Sequence, residues 1–265
     1  MSERSQAALH TVASLAADLR GLGLRAGDTV LVHASWRGVG FVVGGPQAGV
    51  EALLAVVGEN GTVVVPTHTP DNTDPAGWQH PPVPAPWWPV IREHAPGFDP
   101  RLTPSRWMGA LAETVRTWPA ACRSAHPHVS FAALGARAAE VTGVHRLDDA
   151  LGDDSPLGTL RRLGAKVLLL GVGHDRNTSL HLAEWRRPQS PRAPQGGAVR
   201  RTDGTSEWLT WTDVQDDDGD FVALGAAFEA TGAVRVGRVG DAESRLMSQR
   251  ALVDFAERWM AAHRA

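Results

Sequence analysis

The chain has 265 residues, 43% hydrophobic and 21% charged, which is ample for one large α/β core. A formal net charge of −3 gives no basic footprint for nucleic acid, and no apolar run approaches the roughly 20 residues of a membrane span. The first residues lack a signal peptide's apolar region, and the single cysteine, Cys122, permits neither an internal disulfide nor a thiolate metal cage, so the expectation is a cytoplasmic protein.

Ten Trp and no Tyr stand out. Lys166 is the one lysine, and Ala, Gly and Pro are abundant. This resembles GC-rich coding and carries little functional weight. The Trp residues cluster at Trp78, Trp87, Trp88, Trp107 and Trp118, and large rings in a Pro-rich segment often wall a pocket or anchor a loop.

In chain order, residues 5–20 have helical spacing and end at Gly21 and Gly23. A strand over Asp28–His33 runs into a polar, glycine-bearing loop through Gly40. Pro46 opens a helix through Val57, and Thr62–Pro66 is the next strand. This αβαβ order with short links predicts a sheet with right-handed crossovers. Residues 70–106 break the pattern with Pro, Trp and Asp, as a lid or binding wall does. Met108–Val115 is predicted helical, 124–134 a loop leading into a strand, 136–141 a short helix, and Pro156–Leu163 a helix.

Val167–Leu170 is an unbroken apolar run, as in a strand covered on both faces. Gly171 and Gly173 end it, and Asn177 or Thr178 is a candidate N-cap for the helix that follows. Asn177, His181 and Glu184 at i, i+4 and i+7 share a face of that helix. An amide, a base and a carboxylate therefore converge where a strand hands over to a helix, where open α/β sheets place their sites. Residues 188–206 read as an exposed hairpin or linker, Trp208–Thr212 and 234–239 as strands, and Phe221–Glu229 and Leu246–His263 as helices. The prediction is a single α-β-α sandwich around a mixed central sheet with a long Pro/Trp-rich insertion, one domain over 1–265.

Glu184 can orient the His181 imidazole and stabilise its protonated form. His174 and Asp175 suit turn positions. The Gly171-Val172-Gly173 turn is not a dinucleotide fingerprint, because Arg176 stands where the third glycine is required. His33, His68 and His126 lack the spacing of a zinc site, so no metal is expected. Nothing local activates Cys122. The acidic stretches 148–154 and 213–220 are either solvated surface or walls for a polycationic ligand, which Trp rings would suit through cation–π contacts.

Several motifs together resemble the aminoglycoside 3-N-acetyltransferases, a family distinct in fold from GCN5-type acetyltransferases. They are Leu31-Val32-His33-Ala34-Ser35-Trp36-Arg37 with Gly44-Gly45, Val65-Pro66-Thr67-His68-Thr69, Asp74-Pro75, Thr103-Pro104 and Met108-Gly109. His126-Pro127 with Ser130-Phe131-Ala132-Ala133 follows, then Leu169 to Asp175 with Asn177 to Glu184, and last Asp220-Phe221, Val236-Gly237 and Arg245-Leu246-Met247. The resemblance implies transfer of an acetyl group from acetyl-CoA to the 3-amino group of a 2-deoxystreptamine aminoglycoside, giving antibiotic resistance.

Within that reading His181 is the expected base, with His33 and His126 as runners-up, and Thr178 or Thr67 is the oxyanion donor. Acetyl-CoA is assigned to His33, Ala34, Ser35, Trp36, Arg37 and Gly38, with Arg106, Met108, Gly109, Ser130 and Phe131. Arg37 and Arg106 can meet phosphate. The aminoglycoside is assigned to Thr67, Asp71, Asp74, His126, Asp154, His174, Asn177, Asp216 and Glu184. Glu184 either orients His181 or binds substrate. A homodimer is expected. The competing readings are a non-catalytic protein that sequesters cationic antibiotics, an acetyltransferase for another amine, and a ping-pong enzyme using Cys122.

Overall fold

The computed structural model describes residues 8–264. A two-residue strand β1 (Leu9–His10) precedes α1 (Val12–Leu22), whose start is set by a capping box between Thr11 and Ser14 and whose end is Gly23. The helix expected over 5–20 thus begins seven residues later, and residues 5–7 lie outside the described residues. Next come β2 (Thr29–Ala34), β3 (Phe41–Val42), α2 (Gly45–Val57) and β4 (Thr62–Pro66), close to expectation.

The insertion carries short 3₁₀ turns and α3 (Trp88–His94). It leads to α4 (Gly109–Arg116), β5 (Cys122–Arg123), β6 (Phe131–Gly135), α5 (Ala138–Thr142) and α6 (Pro156–Arg162), the last capped by Ser155. Then come β7 (Lys166–Leu170), α7 (Ser179–Trp185), β8 (Arg192–Arg200), β9 (Ser206–Val214), α8 (Phe221–Glu229), β10 (Arg235–Val239), β11 (Ala242–Ser248) and α9 (Gln249–His263).

Seven strands form one mixed sheet in the order β10-β11-β7-β2-β4-β6-β5. The central β7, β2 and β4 are parallel, and both flanks are antiparallel. Side-chain alternation divides the core into two layers. Val30, Val32, Val63, Val65, Leu168 and Leu170 face α1, α2 and α4. Leu31, Val64, Val167 and Leu169 face the layer of α5 to α9. A strand with both faces buried reads as a continuous apolar run, which is why β4 and β7 were legible. The observed α/β sandwich agrees with the expected class.

Two elements differ from expectation, and one open choice is settled. Residues 242–248 form β11, pairing antiparallel with β7, where the apolar Leu246-Met247 pair had been assigned to the last helix. Ser248 starts that helix by accepting a bond from Ala251 N–H. Of the two readings of 188–206, hairpin or linker, the hairpin is the one formed, with β8 paired to β9. Gly196, Gly197 and Ala198 are buried there, because Asn72 bonds both backbone groups of Ala198 and Phe98 N–H also donates to its carbonyl. Asn177 lies in the turn before α7 and not on it.

The chain leaves β2 through α2 for β4 on one side and later, after β6, enters β7 on the other side through α6, so β2 is the switch point of the parallel strands. α2 covers one face and α6 the other. Ligand crevices in such sheets open at the carboxyl ends of the strands on either side of the switch.

Candidate active site

A cleft of about 760 Å³ opens at that place. Its floor and walls come from Val32–Arg37 at the end of β2, Pro66 at the end of β4 and His68 just after it, Trp107–Ala110 at the start of α4, and Val172, Asp175–Thr178 and His181 after β7. Asp218 and Phe221 close one side. Gly171 makes the turn possible: its φ is +66°, and a side chain there would press on the Ser35 carbonyl and the Ala242 methyl.

His181 is mostly buried on α7, with Phe221 against its ring at 4.8 Å. Its Nδ1 meets Glu184 Oε2 at 2.6 Å. Glu184 is only 2% exposed. Its Oε1 accepts from Arg264 Nη1 and from the Asp217 backbone N–H at 3.2 Å. Both carboxylate oxygens are therefore engaged by protein groups.

Two more histidines line the floor. His33 is 5% exposed, and His68 sits edge-on to Phe131 at 5.6 Å. The Nε2 atoms of both are buried without a hydrogen-bond partner. Burial, and then the proximity of the His181 imidazole, push each pKa down to about 3. Both stay neutral at physiological pH, so neither competes for a proton.

Of the expected cofactor residues, His33, Ala34, Ser35, Trp36, Arg37, Met108 and Gly109 line the cleft. Gly38 faces solvent next to it. Ser130 and Phe131 do not reach it, being fully buried in β6 and just before it. The Ser130 hydroxyl bonds the Thr67 carbonyl at 2.8 Å. Arg123 Nε donates to Thr67 Oγ1 at 3.1 Å and to Ser130 Oγ at 3.0 Å. Thr67 is locked by this network and is withdrawn as an oxyanion donor, whereas Thr178 lines the cleft. Arg106 pairs with Asp71 at 2.6 Å and stacks on Trp107.

The expected acceptor residues are scattered. Asp71 is spent on Arg106, and Asp74 on Arg92 at 2.7 Å. Asp154 and Asp216 are exposed outside the cleft. His126 is buried, with Nδ1 accepting from the His128 and Val129 N–H groups. His174 is buried against Glu229 at 3.2 Å and fills the space that a side chain at Gly225 would take. Asn177 lines the cleft and is held by His174 Nδ1 at 3.3 Å. The carboxylates that do line the cleft are Asp175, read as a turn residue, and Asp218.

Sequence reasoning also missed His68 (weighed only as a zinc ligand), Trp107, Arg176 and Phe221. Trp107 holds φ at +63° and is 67% exposed at the mouth. A histidine directly after a strand end was the available signal for His68. Among the described residues no cluster of three or more His, Cys, Asp or Glu is arranged to hold a metal, and no helix is long and apolar enough to cross a membrane.

A histidine–carboxylate pair opening on a cleft at the sheet's switch point is an arrangement that can take a proton from a nucleophile. Comparison with known proteins gives the family. The profile for aminoglycoside 3-N-acetyltransferase matches residues 31–261. The chain is 41% identical to the SPbeta prophage-derived aminoglycoside N(3')-acetyltransferase-like protein YokD of Bacillus subtilis, across 94% of this chain and 92% of that one. The YokD crystal structure superposes with a TM-score of 0.91, covering 95% and 98% of the two chains. Aminoglycoside N(3)-acetyltransferase VII of Streptomyces paromomycinus is 38% identical over 93% of this chain and 90% of its own. AAC-IIIb, solved as a binary complex with CoASH, is 34% identical with a TM-score of 0.86, covering 97% and 98%. This chain belongs to the aminoglycoside 3-N-acetyltransferase family.

Proposed function

We propose that this protein acts as one domain in the cytoplasm, moving an acetyl group from acetyl-CoA to the 3-amino group of a 2-deoxystreptamine aminoglycoside. The observation that carries this reading is the His181–Glu184 pair lining a cleft at the switch point. The named activity of the relatives and the CoASH bound to one of them support it.

An ammonium group has no lone pair, so the acceptor must first lose a proton. With Nδ1 engaged by Glu184, Nε2 of His181 is the nitrogen left to take it. The amine nitrogen attacks the thioester carbonyl, an N–C bond forms, and the nitrogen's second proton passes to solvent. The Thr178 hydroxyl, at the cleft wall, donates to the developing oxyanion. The C–S bond then breaks, and the proton held by His181 leaves with the thiolate as CoASH. Acetylation turns a cationic amine into a neutral amide, which weakens an antibiotic that binds through its charges.

The β2 end and the start of α4 hold the cofactor in this reading, with Arg37 and Arg176 near its phosphates. Asp175 and Asp218 receive the other ammonium groups. Glu184 takes the orienting role, since its oxygens are already committed. The test is turnover of acetyl-CoA with an aminoglycoside panel, read as free thiol and as the acetylated position by mass spectrometry. Acetylation at the 3-amino group is expected, with His181→Ala losing most of the rate. No turnover across the panel sinks the substrate assignment, and near-normal turnover by His181→Ala removes it as the base.

A further inference from the structure

The Glu184–His181 pair has a third member from the far end of the described chain. Arg264 follows the last turn of α9 and is fixed by its own backbone. Its N–H donates to the Met260 carbonyl at 2.8 Å, and its carbonyl accepts from Arg187 Nη2 at 3.1 Å. The guanidinium grips two carboxylates at once. Nε and Nη2 meet Asp220 Oδ2 and Oδ1 at 2.7 and 2.5 Å, and Nη1 meets Glu184 Oε1. Nη2 also donates to the Asp217 carbonyl at 2.8 Å. The guanidinium lies 5.9 Å from the centre of the Phe221 ring, and that ring also packs on His181.

We infer that Arg264 is a positioning residue for acetyl transfer: by occupying Glu184 Oε1 it fixes Oε2 on His181 Nδ1 and holds the imidazole in its working orientation. This rests on the reading of His181 as the base. Apart from Arg264, Oε1 has only the Asp217 N–H at 3.2 Å, and Arg264 also holds that segment through the Asp217 carbonyl, so without Arg264 both restraints on Oε1 loosen and the carboxylate can turn. A buried carboxylate also requires a compensating charge, and Arg264 supplies it. Glu184, Asp220 and Arg264 together keep one negative charge in excess, which the proton arriving on His181 neutralises. A lysine could offer charge but not the planar fork that spans both carboxylates.

The test compares Arg264→Ala and Arg264→Lys in the parent protein and in Glu184→Gln, with acetyl-CoA and an aminoglycoside substrate. Arg264→Ala should lower kcat about ten-fold or more while both KM values stay within about two-fold, since misplaced groups cost rate before affinity. Arg264→Lys should recover part of the loss. In the Glu184→Gln background, removing Arg264 should cost less than about two-fold more, because residues acting as a unit are non-additive. An equal loss in both backgrounds, or an unchanged kcat in folded Arg264→Ala, overturns the inference. Proton NMR gives a readout that needs no turnover: the low-field signal of the His181–Glu184 proton should broaden or vanish in Arg264→Ala and return in part in Arg264→Lys. An unaltered signal overturns the inference even if His181 is not the base, whereas an active His181→Ala overturns only the base assignment.

Discussion

Glu184→Gln keeps the volume of a buried side chain and removes its charge. Two acceptor oxygens become one acceptor and one donor, yet both positions face donors. His181 Nδ1 stands on one side, and Arg264 Nη1 and the Asp217 N–H stand on the other. Two donors, one of them charged, outbid one, so the amide oxygen turns towards Arg264 and the NH₂ group towards Nδ1. Histidine then presents a lone pair at Nδ1 and carries its proton on Nε2, the nitrogen proposed to accept the amine's proton. The same conflict in the serine protease triad costs about 10⁴-fold in kcat. A loss of about 10²- to 10⁴-fold is expected here, or about 3–5 kcal/mol on the barrier. Single-turnover thiol release at saturating acetyl-CoA measures it, with a thermal melt to verify folding. A folded variant within about three-fold of the parent refutes the orienting role.

Two other consequences are open to measurement. Burial holds His33 and His68 to about 3 and His128 and His145 to about 4, whereas the unfolded chain titrates near 6.5. Below that value the unfolded state binds more protons, so stability falls as pH drops from 6.5 towards the folded values, by about 1.4 kcal/mol per group per pH unit at most. Urea unfolding should be nearly flat above about pH 7 and should lose several kcal/mol by about pH 5; a flat curve through that window would mean the rings are hydrated. At the cleft wall, Asp218→Asn should raise the aminoglycoside KM about two- to five-fold, less at high salt, and spare the acetyl-CoA KM. Equal changes in both would remove Asp218 from the acceptor side.

The fold was legible where both faces of a strand are buried. In β4 and β7 every residue but Lys166 is buried, and the apolar runs Val63–Pro66 and Val167–Leu170 are continuous. β11 was not legible. It is buried at Ala242, Ser244, Leu246 and Met247, and its last apolar pair runs almost into the apolar spacing of α9. Only the Ser248 cap separates the two periods. Gly196-Gly197 left β8 open between hairpin and linker; the Trp208 ring passes too close to Gly196 for a side chain, and the His128 ring and the Asn72 carbonyl pass too close to Gly197.

The site shows the same division between contiguous and distant information. Residues 33–37 and 108–109, assigned through the family resemblance, and Asn177, Thr178 and His181, singled out by local spacing and capping, are short pieces at element ends. Ser130 and Thr67 sit in motifs of equal local appearance. What removes them from the cleft is Arg123, a side chain from another strand that ties their hydroxyls together. Charge runs behave likewise. Five carboxylates between 213 and 220 look equivalent in sequence, but Asp213 is buried against Trp185, Asp220 is taken by Arg264, and of the five it is Asp218 that lines the cleft. Glu184 is the sharpest case. On its helix it was equally suited to orient His181 or to bind an ammonium group. The choice turns on whether its second oxygen is free, and that is decided by a residue 80 positions away in the chain. A residue's partner on its own helix follows from spacing; the number of partners it has left to offer follows only from the closed tertiary structure.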